Sequence, residues 1–355
     1  MIVKNEATVI RRCLESVAGL ISHWVIVDTG STDGTQAIVR EHLQRLPGEL
    51  HERPWRDFAH NRTEALELAR PRAEYTLLMD ADDVLELPRG YRLPRLTADA
   101  YFVDIEHGPA RYQRLQIVRN ERPWRYVGVL HEYLACEGAG PAGKLPLVYR
   151  MHFDGARRRD PKTYARDAEV LERALKTETD RALRSRYTFY LAQSFRDAGE
   201  RKKALRHYLA TAEQGGWADH VYVSLLEAAR LTEALKARDR DVIAAYERAA
   251  AAAPERAEAL HGLARYCREH KLYAEGYGYA RAGFKVPAPP GGLFVEPWIY
   301  AWGMLDELAV NAYWTGRYQE SVDACRALLA NPQVPAEHRP RIQANAEYSR
   351  QRLGR

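Results

Sequence analysis

The stretch Tyr75-Thr76-Leu77-Leu78-Met79-Asp80-Ala81-Asp82-Asp83 places three carboxylates directly after a short apolar run. The run predicts a buried strand, and the carboxylates lie where that strand ends. Open α/β sheets bind ligands outside the carboxyl ends of their strands. Clustered carboxylates suit a hard divalent cation, which takes oxygen ligands and commonly bridges to phosphates. The alternative is an acidic turn that only caps a strand or a helix, and the neighbouring sequence has to decide between the two.

The first 155 residues alternate between strand and helix patterns. Residues 24–27 predict a strand that ends at Asp28, and residues 35–45 predict the helix that follows. Further strands are expected at residues 75–79, 100–105 and 115–119. Strands that alternate with helices indicate βαβ units and a mostly parallel sheet.

After residue 160 the strand patterns give way to repeated helix pairs. Leu191-Ala192, Phe195, Gly199, Ala204 and Tyr208 have the spacing of a tetratricopeptide unit, and residues 308–325 repeat that spacing. A non-repeating helical bundle is the alternative. The predicted domains are therefore an α/β domain at residues 1–157 and an all-α repeat domain at residues 158–355. Stacked repeats present a concave surface that suits extended partners.

Composition bounds the class of protein. The 355 residues favour two domains, and 46% hydrophobic with 28% charged residues is typical of a soluble globular chain. A run of eighteen apolar residues is absent from the sequence, and the charged first twenty residues do not resemble a signal peptide. Four widely spaced cysteines predict reduced thiols and a cytoplasmic location. The net charge of +5 selects no partner.

Four further polar clusters accompany the acidic one. Val3-Lys4-Asn5-Glu6 lies at a predicted strand-to-helix junction, and residues 28–35 form a glycine-containing turn after the next strand. Arg62 lies on a predicted helix, where a guanidinium suits diphosphate oxygens. The pair His131-Glu132 offers a general base and an acceptor contact. Each cluster alone would also be compatible with a structural role.

The order and spacing of these motifs resemble glycosyltransferase family 2. The opening Ile2-Val3-Lys4-Asn5-Glu6, the turn at residues 28–35 and Asp80-Ala81-Asp82 carry the resemblance. Members of this family have the GT-A fold, a Rossmann-like α/β fold. The branch that joins this domain to tetratricopeptide repeats, with the sublancin-type peptide S-glycosyltransferases, is similar in further segments. Those segments are residues 55–62, His131-Glu132, and residues 149–152 with Gly155.

The resemblance implies inverting transfer from a nucleoside-diphosphate sugar, with a UDP-sugar as the expected donor, to a peptide, protein or saccharide. Asp82 and His152 would hold Mn²⁺ or Mg²⁺, which offsets charge on the leaving diphosphate. Glu132 would be the base, with Asp83 as its rival and His131 as a contact to acceptor or diphosphate. The nucleotide-sugar site would comprise Val3, Asn5, Glu6, Asp28, Arg62, Asp80, Ala81 and Asp82.

Two features depart from the family pattern. Family members often carry a second aspartate directly after the position of Asp28, where this chain has Thr29, so the preferred base is open. The chain also begins inside the expected first strand, which would then be short for a central strand. We expect either a start upstream of Met1 or a trimmed strand.

Other functions stay open at this stage. One is a glycosyltransferase that acts on a modified nucleic-acid base, for which Tyr112, Arg114, Trp124 and Arg125 would supply stacking and phosphate contacts. Nucleic acid is not favoured as a partner, because no binding motif accompanies those residues. Another is a non-catalytic repeat scaffold with a degenerate transferase domain. A homodimer through the repeat domain is a further expectation.

Overall fold

The computed structural model describes residues 1–108, 110–152 and 154–354. The chain forms two compact units, Met1–Thr177 and Glu178–Arg355. In the part of the chain described, every helix is too short or too polar to cross a bilayer.

A small parallel sheet opens the first unit. Its strands are β1 (Ile2–Val3), β2 (Trp24–Asp28) and β3 (Gly48–Glu52), hydrogen-bonded in that order. The helices α1 (Ile10–Val17), α2 (Thr35–His42) and α3 (Phe58–Ala69) follow these strands in turn. This part is the alternation of strands and helices that the sequence predicted.

The larger sheet of the first unit is mixed, so the prediction of a mostly parallel sheet was wrong for it. The strand order is β4-β7-β6-β10-β5. Only the β6–β10 pair is parallel, and the other three pairs are antiparallel. The physical reason is the short connection from β6 to β7, because a parallel pair would need a long crossover, usually a helix, between its strands. The strands are β4 (Tyr75–Leu77), β5 (Val84–Glu86), β6 (Ala100–His107), β7 (Ala110–Arg119) and β10 (Gly143–Arg150).

The remaining elements complete the first unit. The strands β8 (Arg125–Val127) and β9 (Tyr133–Ala135) form a separate antiparallel pair. The helices α4 (Ala156–Arg159) and α5 (Thr163–Thr177) end the unit. The division after Thr177 places α5 with the α/β unit, whereas the sequence boundary after residue 157 placed it with the repeats. An ion pair between Arg157 and Asp167 joins α4 to α5.

The edge of β1 carries an unusual chain start. The Met1 amine donates a hydrogen bond to the Val25 carbonyl at 3.2 Å, and burial lowers the pKa of this amine to about 6. An apolar cavity of about 430 Å³ adjoins it, lined by residues of β1, β2, β4 and α3. The described residues therefore leave an open space between the two sheets.

The second unit is entirely helical. Its helices are α6 (Arg181–Asp197), α7 (Arg201–Gln214), α8 (Ala218–Ala234), α9 (Asp239–Ala252), α10 (Glu258–Glu269), α11 (Tyr273–Phe284), α12 (Met304–Trp314), α13 (Tyr318–Ala330) and α14 (Arg339–Leu353). A π-helix, Ile299–Gly303, precedes α12, and residues 285–297 connect it to α11. Gly199, predicted as the turn of a repeat, has φ of 82° between α6 and α7. The paired helices confirm the predicted repeats.

Close helix packing explains the small residues of the repeats. A Cβ atom at Gly262 on α10 would lie 2.4 Å from the ring of Tyr246 on α9. Inside the unit, Arg256 and Glu258 form an ion pair whose side chains are only 4% and 0% exposed. The Tyr222 hydroxyl donates to the same Glu258 carboxylate at 3.0 Å. Since buried charges are tolerated only when paired and hydrogen-bonded, this network fixes the register of α8 against α10.

Candidate active site

A cavity of about 780 Å³ lies in the first unit, where β1 and β4 end. It brings together most of the residues predicted from the sequence: Val3, Asn5, Glu6, Arg62, Asp80, Ala81, Asp82, Asp83 and His152. Asp28, Glu132 and His131 are not part of its lining. Residues that lie 150 positions apart in the chain thus share one cavity.

The turn after β2 holds the loop that contains Asn5 and Glu6. The Asn5 amide donates to the Ser31 hydroxyl at 2.9 Å, and the Asn5 side-chain carbonyl accepts from the Thr32 amide at 2.8 Å. The Glu6 amide donates to the Thr35 hydroxyl at 2.9 Å. Asn5 has φ of 58°, a conformation that asparagine tolerates better than most residues. The hydroxyls of the turn therefore position the Asn5–Glu6 backbone at the cavity.

Asp28 builds this turn. Its Oδ1 accepts hydrogen bonds from the amides of Gly30 and Ser31, both at 2.8 Å, and the residue is 1% exposed. Its Oδ2 is buried and, within the described residues, has no hydrogen-bond partner. Gly30 has φ of 104°, which favours glycine at this position. In this structure Asp28 acts on the cavity through the turn, while its neighbour Thr29 lines the cavity.

Arg62 joins two of the predicted acidic residues. Its Nη2 lies 2.5 Å from Asp80 Oδ1, and its Nε lies 2.7 Å from Glu132 Oε1. The guanidinium also lies 5.5 Å from the centre of the Tyr126 ring. Burial alone would raise the pKa of Asp80, but the charge of Arg62 outweighs it and lowers that pKa. Asp80 is therefore ionised. The carboxylate of Glu132 is not free, because it forms an ion pair with Arg62.

Burial raises the pKa of three further carboxylates of the cavity, those of Glu6, Asp82 and Asp83. Burial, with repulsion from Asp80 second, raises the pKa of Asp83 to about 7. Burial also raises the pKa of Glu6 to about 7 and shifts the pKa of Asp82 upward. The amide of His152 donates to Asp83 at 2.8 Å, and the amide of Ala156 donates to Glu6 at 3.1 Å. A cation bound beside these three groups would favour their ionised forms.

Three residues support the acidic loop through contacts that the sequence reasoning did not predict. The Tyr149 hydroxyl accepts the Asp80 amide proton at 2.9 Å, and Arg114 lies 4.9 Å from the Tyr149 ring centre. Arg12 donates to the Asp82 carbonyl and to the Asp154 carboxylate. Tyr149 was part of the quoted 149–152 segment, but neither arginine belongs to a recognisable motif. These contacts hold the acidic loop from three distant points of the chain.

The donor atoms of the cavity suit a divalent cation that brings ligands of its own. In the described ranges, which omit residues 109 and 153, three His, Cys, Asp or Glu side chains never come together as a ready-made metal cage. Asp82 nevertheless packs against Gly155, where a Cβ atom would lie 2.6 Å from Asp82 Oδ2. Mg²⁺ and similar ions commonly bind through one or two carboxylates with substrate phosphates and water. The Asp82 carboxylate and the acidic groups beside it fit an ion that arrives with a diphosphate.

The nucleic-acid alternative finds less support in the geometry. Trp124 is 5% exposed, and Arg114 is turned onto Tyr149 and donates to Gln116. Of the residues named for base stacking, Tyr112 is exposed. A buried indole cannot stack on a base, and the half-buried Arg114 is already engaged, although Tyr112 and Arg125 are exposed.

Comparison with known proteins identifies the first unit. Residues 1–96 match the family model described as Glycosyl transferase family 2. The first part of this unit is thus similar to family 2 glycosyltransferases. The domain matched includes Glu6, Asp28, Arg62 and the acidic residues 80–83.

Two curated proteins are similar to this chain. Over 313 residues, 82% of the chain is 29% identical to a TPR repeat-containing protein of Synechococcus elongatus and covers 75% of it. Over 100 residues, 28% of the chain is 35% identical to the lipopolysaccharide core biosynthesis glycosyltransferase LpsC of Rhizobium meliloti. That match covers 36% of LpsC, about a third of its length.

Two solved structures are also similar to this glycosyltransferase. The structure of S. aureus TarS 1-349 is 13% identical with a TM-score of 0.34, over 69% of this chain and 81% of that one. BtubC from P. vanneervenii is 16% identical with a TM-score of 0.39, over 52% of this chain and 74% of that one.

Proposed function

We propose that this protein is a metal-dependent, inverting glycosyltransferase that uses a nucleoside-diphosphate sugar, with a UDP-sugar as the first candidate donor. The acceptor is a saccharide or a peptide. The observation that carries the proposal is the convergence of Arg62, Asp80, Asp82, Asp83 and Glu6 in one cavity at the strand ends. Such a position is where open α/β sheets bind nucleotides.

The cation we propose is Mn²⁺ or Mg²⁺, held by Asp82 with His152 as a second ligand. When bound, it supplies positive charge to the leaving diphosphate. Asp80, kept ionised by Arg62, is suited to accept hydrogen bonds from ribose hydroxyls. The Asn5–Glu6 backbone, fixed by the turn hydroxyls, contacts the nucleoside.

Proton removal from the acceptor falls to Glu132 or Asp83. In an inverting transfer the acceptor oxygen attacks the anomeric carbon while the diphosphate leaves, and a carboxylate takes the acceptor proton. Asp83 lines the cavity, and its pKa of about 7 matches a base that works near neutral pH. Glu132 becomes competent only when Arg62 turns from it towards the diphosphate. His131 is retained as an acceptor or diphosphate contact.

The test is hydrolysis of sugar nucleotides in the absence of acceptor, with Mn²⁺ or Mg²⁺ and with chelator. We expect one donor to be hydrolysed and to raise the melting temperature only with metal present. Asp82→Asn abolishes both effects, while Asp104→Asn, which changes a half-exposed carboxylate on β6, retains them. If the folded protein hydrolyses no donor and no donor raises its melting temperature, the non-catalytic scaffold is the function that remains. A cytoplasmic location and a homodimer remain predictions of the sequence.

A further inference from the structure

One part of the cavity wall carries an exposed indole and several arginines, with the carboxylates of Asp57 and Glu169 among them. Trp55 lines the cavity with 42% of its surface exposed. Its ring meets Phe58 edge to face at 4.7 Å, and Arg157 lies 4.9 Å from the Phe58 ring centre. Arg157 is itself fixed by its ion pair with the buried Asp167. A chain of contacts therefore holds an exposed indole in place, as expected of a stacking surface.

Two arginines of the same wall have no acidic partner. Arg56 and Arg173 both line the cavity and are exposed, and within residues 1–108, 110–152 and 154–354 neither forms an ion pair. The neighbouring Arg166, by contrast, is paired with Asp160. Guanidinium groups bind carboxylate and phosphate with paired hydrogen bonds. An unpaired arginine at the side of a cavity is therefore suited to an anionic ligand.

The cavity extends from the proposed donor contacts to α5. Its volume of about 780 Å³ lies in the upper part of the range for small-molecule sites, about 300–1,000 Å³. The proposed donor contacts lie at residues 3–6, Arg62 and residues 80–82, and none of them is on α5. Arg173 belongs to α5, and Trp55 adjoins the same wall through Phe58 and Arg157.

We propose that Trp55, Arg56 and Arg173 form the acceptor subsite and that the acceptor is an anionic saccharide. A sugar ring packs its C–H face on the indole, and a phosphate or carboxylate of the acceptor binds the two arginines. This inference rests on the proposed function. An acceptor hydroxyl oxygen forms the new bond to the anomeric carbon as the bond from that carbon to the diphosphate breaks. The hydroxyl proton passes to the carboxylate base, and the nucleoside diphosphate leaves.

The first experiment offers defined acceptors to the full chain with the donor found by hydrolysis. The probes are a neutral oligosaccharide, the same oligosaccharide with one uronic acid or one phosphate, and an acidic serine- and cysteine-containing peptide. We expect kcat/KM for an anionic saccharide to exceed that for the neutral one at least tenfold. Equal use of the neutral saccharide, or preference for the peptide, would overturn the inference.

The second experiment tests the residues. Arg56→Gln and Arg173→Gln each raise the acceptor KM about tenfold with little change in kcat, because each removes a charge-assisted hydrogen bond. Trp55→Ala raises the KM for charged and neutral saccharides alike. The matched controls are Arg89→Gln and Trp217→Ala, exposed residues outside the cavity lining.

The outcomes separate the two proposals. Absence of donor hydrolysis by the unaltered protein would refute the proposed function itself. Hydrolysis with unchanged acceptor KM in both arginine variants would refute the acceptor subsite alone.

Discussion

Gly155 is the position at which one added methyl group should separate folding from activity. It has φ of −63° and ψ of 162°, so alanine fits the backbone without strain. A Cβ atom there would lie 2.6 Å from Asp82 Oδ2 and 3.0 Å from Asp82 Cγ. A Cβ atom and a carboxylate oxygen do not approach each other so closely. The Asp82 carboxylate is the end of a side chain and is therefore the group that has to rotate away.

The size of the effect follows from these distances. Restoring ordinary contact moves the Asp82 oxygen by about 0.8 Å, from 2.6 Å to about 3.4 Å. Because a misplacement near 1 Å at a reacting centre costs up to about 100-fold in rate, we expect Gly155→Ala to lower metal-dependent hydrolysis 10- to 100-fold. The free energy of unfolding should change by no more than about 1 kcal/mol, since a short side chain yields more easily than a packed core.

Gly19→Ala is the matched control, because nothing lies within 4 Å of a Cβ atom at that position in the same unit. Donor hydrolysis and thermal melts are measured for both variants over a series of Mn²⁺ concentrations. A Gly155→Ala protein with full hydrolysis and unchanged metal dependence would refute the role of Asp82. If the Gly155→Ala protein fails to fold, the Asp82 carboxylate cannot move away from the added methyl group, and the backbone at position 155 requires glycine.

Three other changes test the ion pairs and the buried acid. Arg62→Lys keeps the charge but loses the two-carboxylate fork, so hydrolysis should fall at least tenfold in kinetic assays while the circular dichroism spectrum is retained. Folding raises the pKa of Glu6 from 4.5 to about 7, so this group makes the metal-free protein less stable as pH rises from about 4.5 to about 7. This pKa shift corresponds to a loss of about 3 kcal/mol in the free energy of unfolding, which partial exposure of Glu6 reduces to about 1–2 kcal/mol. In urea titrations, Glu6→Gln should therefore flatten the pH–stability curve between about pH 4.5 and pH 7. In the repeat unit, Arg256→Met leaves Glu258 charged and buried, so the free energy of unfolding should fall by about 3–5 kcal/mol. Arg238→Met is the control, because it removes an exposed ion pair and should change the free energy of unfolding by less than about 1 kcal/mol.

The sequence predicted elements whose signal is local. The apolar run before Asp28 identified β2, and the acidic residues after β4 identified the cavity, because both depend on strand ends alone. The antiparallel order of the larger sheet was not predictable in this way. A short apolar run does not specify the direction of its partner, and β6, β7 and β10 find one another over long separations.

The same distinction holds inside the site. The coming together of Glu6, Arg62 and Asp82 was expected from motif order, since each follows a strand or begins a helix. The pairing of Arg62 with Glu132 was not expected, because it joins residues 70 positions apart that were assigned separate roles. Arg12 and Arg114 carry no local signal, since they act only through contacts that the fold creates.

The close packing of α9 on α10 has a practical consequence for redesigning the repeat unit. Any side chain larger than that of glycine at position 262 would meet the ring of Tyr246, because a Cβ atom there would lie 2.4 Å from it. Helix α10 therefore cannot be exchanged alone for a helix from another repeat that carries a larger residue at this position. The two helices have to be transplanted as one module, with Gly262 and Tyr246 kept together.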